Sequence, residues 1–86
     1  MSNRPLYEIA RDIYSVYRAA GKPVYFGAVP YLDALSSLNS IDENYYADSG
    51  KSVVLYLLSN LSSFRGPEAK VLKNELKQIA GLKVAK

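Results

Sequence analysis

The stretch Val53-Val54-Leu55-Tyr56-Leu57-Leu58, extended by Leu61, is the most apolar run in the chain and constrains its fold more than any other. A segment apolar on nearly every face belongs in an interior. Two adjacent valines could also open a buried strand. Three features favour a helix: Asp48 and Ser49 precede the run as N-cap candidates, Val53, Leu57 and Leu61 recur every four residues, and no second strand-like segment offers a partner. The reading is a central helix from about Ser49 to Ser62 that the rest of the chain encloses.

The other elements follow from punctuation and spacing. Pro5 suits a first helical turn, and Leu6, Ile9, Ala10, Ile13, Val16, Tyr17 and Ala20 recur at three- and four-residue intervals. Gly21 and Pro23 end that helix. Val24 to Val29, bracketed by prolines, reads as a loop that tucks Tyr25 and Phe26 over the core. Pro30 opens a short second helix ending near Asn39, with Val29, Leu32, Leu35 and Leu38 as its stripe and Asp33 favouring the dipole. Ser40 to Ala47 is polar and turn-prone, and Tyr45 and Tyr46, being adjacent, cannot both face inward. Gly66-Pro67-Glu68 starts a last helix whose buried stripe is Ala69, Leu72, Leu76, Ile79 and Ala80, stopped by Gly81. The expected fold is all-α: a compact four-helix domain over residues 5–82 with a buried central third helix, and flexible ends at 1–4 and 83–86.

At 86 residues a chain forms one small domain of marginal stability. It has no cysteine and no histidine, which removes disulfides, thiolate chemistry, the usual zinc and copper ligands and the usual proton shuttle. No cofactor or metal site is expected, because the carboxylates show no calcium-loop spacing. Asp42, Glu43 and Asp48 sit in a polar segment without an apolar pocket to raise a carboxyl pKa, and no serine has an activating base. The chain therefore reads as non-enzymatic. Gly50-Lys51-Ser52 matches the end of a phosphate-binding loop, but Tyr45 stands where the first glycine is required and no parallel sheet precedes it. It is an ordinary capped helix start. Charged residues interrupt the N-terminus and no run approaches the roughly 20 apolar residues of a membrane span, so a soluble intracellular protein is expected.

Candidate working surfaces are aromatic and basic. Tyr7, Arg11, Tyr14 and Arg18 fall at helical intervals and form a stripe in which rings alternate with guanidinium groups, suited to stacking and to holding phosphates or carboxylates. Alternatively, the tyrosines pack at the core edge and the arginines pair with Glu8 and Asp12. Tyr25, Phe26, Tyr31, Tyr45 and Tyr46 cluster in the central connections. With eight tyrosines and no tryptophan, these rings are either core lid or partner surface. If surface, self-association is the simplest use. The net charge is +3, and from Arg65 onward six basic residues face only Glu68 and Glu75. Arg65, Lys70, Lys73 and Lys77 make a second candidate surface, for weak nucleic-acid binding; solvated lysines on a helix exterior would look the same. A third candidate is a small anionic ligand, such as a nucleotide signal, held between protomers.

The segments Val24-Tyr25-Phe26-Gly27-Ala28-Val29-Pro30-Tyr31-Leu32-Asp33-Ala34-Leu35, Asp48-Ser49-Gly50, Ser59-Asn60, Phe64-Arg65-Gly66 and Leu72-Lys73-Asn74-Glu75-Leu76 together resemble a family of small bacteriophage- and prophage-encoded proteins with no assigned activity. The similarity spans roughly residues 5–77. It implies expression in the cytoplasm of a bacterial host from a mobile element, and a role in binding a host or phage component, as inhibitor, adaptor or counter-defence factor. It assigns no functional residue.

Overall fold

A computed structural model describes residues 4–82 and contains four helices, α1 (Leu6–Ala19), α2 (Val29–Leu35), α3 (Gly50–Ser59) and α4 (Pro67–Ile79). Between α2 and α3 lies a two-stranded antiparallel hairpin, β1 (Asn44–Tyr45) and β2 (Asp48–Ser49), with Asn44 opposite Ser49 and Tyr45 opposite Asp48. The fold is mainly helical, and the expectation of a purely helical chain is corrected by this hairpin. Its turn carries Tyr46 at φ 55°. Two-residue hairpin loops favour positive φ because it matches strand twist.

The helix ends obey local rules. Ser49 is the N-cap of α3, its Oγ accepting from the Ser52 N–H at 3.1 Å. Beyond α1, Gly21 at φ 67° lets its own N–H reach the Arg18 carbonyl while Lys22 N–H reaches that of Tyr17, which satisfies carbonyls the helix leaves open. Helix α2 ends at Leu35, short of the expected Asn39. There the Ser36 and Ser37 hydroxyls donate back to the Leu32 and Ala34 carbonyls at 2.8 and 2.9 Å, competing with helix continuation.

Helix α1 lies against α2 and α4, while α3 packs on α2, α4 and the hairpin. One core joins them. Leu6, Ile9 and Ile13 of α1, Leu32 and Leu35 of α2, Val54 and Leu57 of α3, and Leu76 of α4 are all at or below 1% exposure. Most residues of the expected stripes of α1, α2 and α4 are buried, while Val16, Val29 and Ile79 are half-buried and Ala20, just past the end of α1, is exposed. Helix α3 is less enclosed than its composition suggests. Val53, Val54 and Leu57 are inside, but Tyr56 is 50% exposed and Leu55 and Leu58 are half-buried. The picture of a third helix wrapped on every side is corrected to one with an outer flank.

Arg4 is also placed differently from the frayed end expected of it. Its guanidinium makes two parallel bonds to the Glu75 carboxylate, each 2.8 Å, and a third to Asp12 at 2.6 Å. A planar fork meeting a carboxylate is the strong form of ion pair, and here it ties the start of the chain to α1 and α4. The other residues expected to be flexible, 1–3 and 83–86, lie outside the described residues.

Candidate functional site

The loop that follows α1 projects its rings rather than tucking them inward. Tyr25 is 44% and Phe26 80% exposed, with ring centroids 4.9 Å apart. A Cβ on Gly27 would fall 2.6 Å from Tyr25 Cε2 and 2.8 Å from Asn60 Oδ1. The absence of a side chain at 27 therefore lets the Tyr25 ring lie beside Asn60, the C-cap of α3. Asn60 Nδ2 in turn donates to the Tyr56 carbonyl, and the Tyr56 ring meets Tyr31 at 5.5 Å. Two ring pairs, Tyr25/Phe26 and Tyr31/Tyr56, thus occupy the outer flank where α2 meets the C-terminal half of α3. Tyr56 was hidden from sequence reasoning inside an apolar run. Its signal was the one hydroxyl among aliphatic neighbours.

At the hairpin, Tyr45 and Tyr46 pack edge to face at 4.7 Å. Tyr45 is half-buried and Tyr46 89% exposed, the split their adjacency requires. They flank the N-terminal end of α3, opposite in sequence to the end that carries Tyr25 and Phe26.

The α1 stripe divides. Tyr14 donates its hydroxyl to Asp33 Oδ1 at 2.9 Å, linking α1 to α2. Burial, and then the bond to Asp33, push the Tyr14 phenol up to about 12. It is a structural linker, whereas Tyr7, Arg11 and Arg18 remain exposed. Asp12 pairs with Arg4, and neither Arg11 nor Arg18 has an ion-pair partner among the described residues.

The four basic residues of the second candidate surface do converge. Arg65, Lys70, Lys73 and Lys77, with Phe64, Gly66 and Asn74, wall a hollow of about 300 Å³ between the α3–α4 turn and α4. Lys73 Nζ donates to the Leu61 carbonyl at 2.9 Å and Arg65 Nε to that of Ser62 at 3.2 Å. Desolvation, then the charges of Lys77 and Arg65, hold the Lys73 ammonium below its ordinary pKa. Behind the hollow, Phe64 stacks on Tyr17 with centroids 4.8 Å apart. Burial raises the Tyr17 phenol; Ser63 offsets part of the rise, although the hydroxyl has no partner in hydrogen-bonding geometry.

A wider, more apolar groove of about 380 Å³ runs between α1 and α4, lined by Val16, Val71 and Leu72 and rimmed by Asp12, Ser15 and Glu68. Sequence reasoning missed it because Val71 lies off the buried stripe of α4 and is 65% exposed. Of the carboxylates weighed for catalysis, Glu43 accepts the Asn39 N–H at 2.6 Å, which holds its pKa below the ordinary value. Among the described residues no three acidic side chains are grouped to hold a metal ion, and no helix is long and apolar enough to cross a membrane. Comparisons with protein-family models, with curated proteins and with solved structures returned no match.

Proposed function

We propose that the chain is a non-enzymatic interaction protein that self-associates through the aromatic flank of α2 and α3. The observation that supports this most directly is the exposure of Phe26 at 80%, Tyr56 at 50% and Tyr25 at 44% on one side of a small domain. Rings of this kind carry large apolar area at low entropic cost and are enriched where proteins meet. A stable interface takes roughly 800 Å² from each partner, about a seventh of the 5520 Å² of surface on this chain. The two ring pairs, with the exposed residues of α2 and α3 around them, offer an aromatic centre for a patch of that kind. Pairing by a two-fold axis sets each patch against its own copy, and burying it adds stability that a small core lacks.

The working assembly then presents Tyr7, Arg11 and Arg18 on each protomer to a second protein in a bacterial cell, which it occludes or bridges. Light scattering over a concentration series tests the first step. The intact chain is expected to be dimeric, and Phe26→Ser combined with Tyr56→Ser to be monomeric with its helix content retained. A strictly monomeric wild type at high micromolar concentration removes the proposal.

A further inference from the structure

The hollow beside α4 shares no lining residue with the aromatic flank, and its chemistry is different. Three of its cations come from one helix at positions 70, 73 and 77, and the fourth, Arg65, arrives from the preceding turn. None of the residues lining it is acidic. The α4 carboxylates are directed elsewhere: Glu75 is held by Arg4, and Glu68 lies on the α1 side, sharing only a neighbouring hollow with Arg65. Among the described residues no carboxylate lies within ion-pair distance of any of the four cations. Four like charges therefore share a concave wall with no counter-charge among the residues that line it.

Donor capacity is only partly used. An ammonium has three N–H groups and a guanidinium five. Lys73 spends one on the Leu61 carbonyl, and Arg65 spends its Nε–H on Ser62, which leaves the terminal fork of Arg65 available for bidentate contact with an oxyanion. The backbone bond also fixes Lys73 in position before any ligand arrives. What the hollow lacks is an accessible ring. Phe64 is 3% exposed, its face taken by Tyr17, so there is no platform on which a base could stack. Sites that read bases in single strands use such platforms, whereas this one offers only cations.

We propose that the hollow walled by Arg65, Lys70, Lys73 and Lys77 binds closely spaced phosphate groups, as in a polyphosphate chain or consecutive nucleotides of a single strand, without reading a base. At about 300 Å³ it is at the small end of ligand sites. Its volume suits a few phosphates rather than a whole nucleotide pair. The site is independent of the aromatic flank, so it stands or falls separately from the assembly state.

Calorimetric titration of the full chain in low-salt buffer, with inorganic triphosphate in one arm and short oligothymidylate in the other, tests this. Saturable binding is expected, one ligand per chain for triphosphate. For the oligonucleotide, engagement of all four cations implies a loss of roughly fifty-fold in affinity between 50 and 200 mM salt. Lys70→Glu combined with Lys77→Glu should weaken either ligand by at least about tenfold through the same electrostatic contacts. Lys51→Glu, away from the hollow, makes the same change in net charge as Lys70→Glu or Lys77→Glu alone and should leave most of the affinity. Tighter binding of triphosphate assigns the site to small polyphosphates, and tighter binding of the oligonucleotide assigns it to a strand. No binding of either ligand, or a loss in Lys51→Glu equal to that in Lys70→Glu or Lys77→Glu alone, overturns the proposal.

Discussion

Replacing Gly50 with alanine tests the junction of hairpin and helix, where backbone packs directly against backbone. A Cβ at this position would stand 2.8 Å from Ile41 Cα and 2.9 Å from the carbonyl oxygens of Ser40 and Glu43. All three are backbone atoms, so no rotamer change relieves the contact. The Ser40–Glu43 turn must retreat by about half an ångström, which also stretches the 2.7 Å bond from Gly50 N–H to the Glu43 carbonyl. Overpacking of this sort costs about 1–3 kcal/mol. Losing most of a hydrogen bond adds about 1 kcal/mol, and the better helix propensity of alanine returns up to about 1 kcal/mol. The net loss is about 2 kcal/mol, or a fall in Tm of about 8–16 °C for a domain this small. Thermal unfolding followed by circular dichroism reads it directly. Gly21→Ala is the comparison, because nothing lies within 4 Å of its Cβ and only the φ of 67° resists a side chain, at about 1 kcal/mol. A Gly50→Ala protein that melts at or above the wild-type temperature would refute the close approach, and with it the packing of the hairpin on α3.

The other expectations concern single contacts. Arg4→Ala removes all three guanidinium bonds to Glu75 and Asp12; because the groups are about one-third exposed, the loss should be about 1 kcal/mol and shrink in high salt, as denaturant titrations at two ionic strengths would show. Tyr14→Phe should cost about 1 kcal/mol at neutral pH through the lost bond to Asp33. Burial and the bond to Asp33 push the Tyr14 phenol up to about 12 from its ordinary 10.0, so its contribution is complete below pH 10 and disappears as pH rises through about 12. Stability curves of wild type and Tyr14→Phe should therefore converge over that window, and curves that stay parallel would show that the phenol does not titrate as the fold requires.

Much of the architecture is legible because it is local. The buried stripes of α1 and α4 repeat at three and four residues, and Gly66-Pro67 and Gly81 mark the ends of α4. What escaped is set by tertiary context. The hairpin was obscured because its turn uses Tyr46 at positive φ, where glycine or asparagine would have announced it. Gly50 resembled part of a phosphate loop, yet its need is for bare space against Ile41 and Glu43. Arg4 gave no signal at all, since its main partner lies 71 residues away. Among the site residues, spacing alone put Lys70, Lys73 and Lys77 on one face; that Arg65 completes the wall depends on how the α3–α4 turn folds. Tyr14 shows the converse: it shares a stripe with Tyr7, Arg11 and Arg18, but Asp33 on another helix claims its hydroxyl.

Lys73 decides whether the cationic hollow is a site or a by-product of packing. Its ammonium caps the Leu61 carbonyl where the chain leaves α3, a structural reason for a lysine at this place. Against that stand its burial and the repulsion of Lys77 and Arg65, which lower its pKa from 10.5. A lysine depressed in this way destabilises the fold while it is charged, and stability should rise as pH climbs through its folded pKa toward 10.5. Lys73→Met removes the donor, at about 1 kcal/mol, and also removes the repelled charge, so the two effects should nearly cancel at neutral pH. Saturating triphosphate, at about 100 times its Kd, should stabilise the wild type by about 2.7 kcal/mol and the methionine variant far less. A variant that loses more than about 2 kcal/mol without any ligand would instead make the carbonyl cap the reason for Lys73. The clustering of charge around it would then be a tolerated cost of closing α3 onto α4.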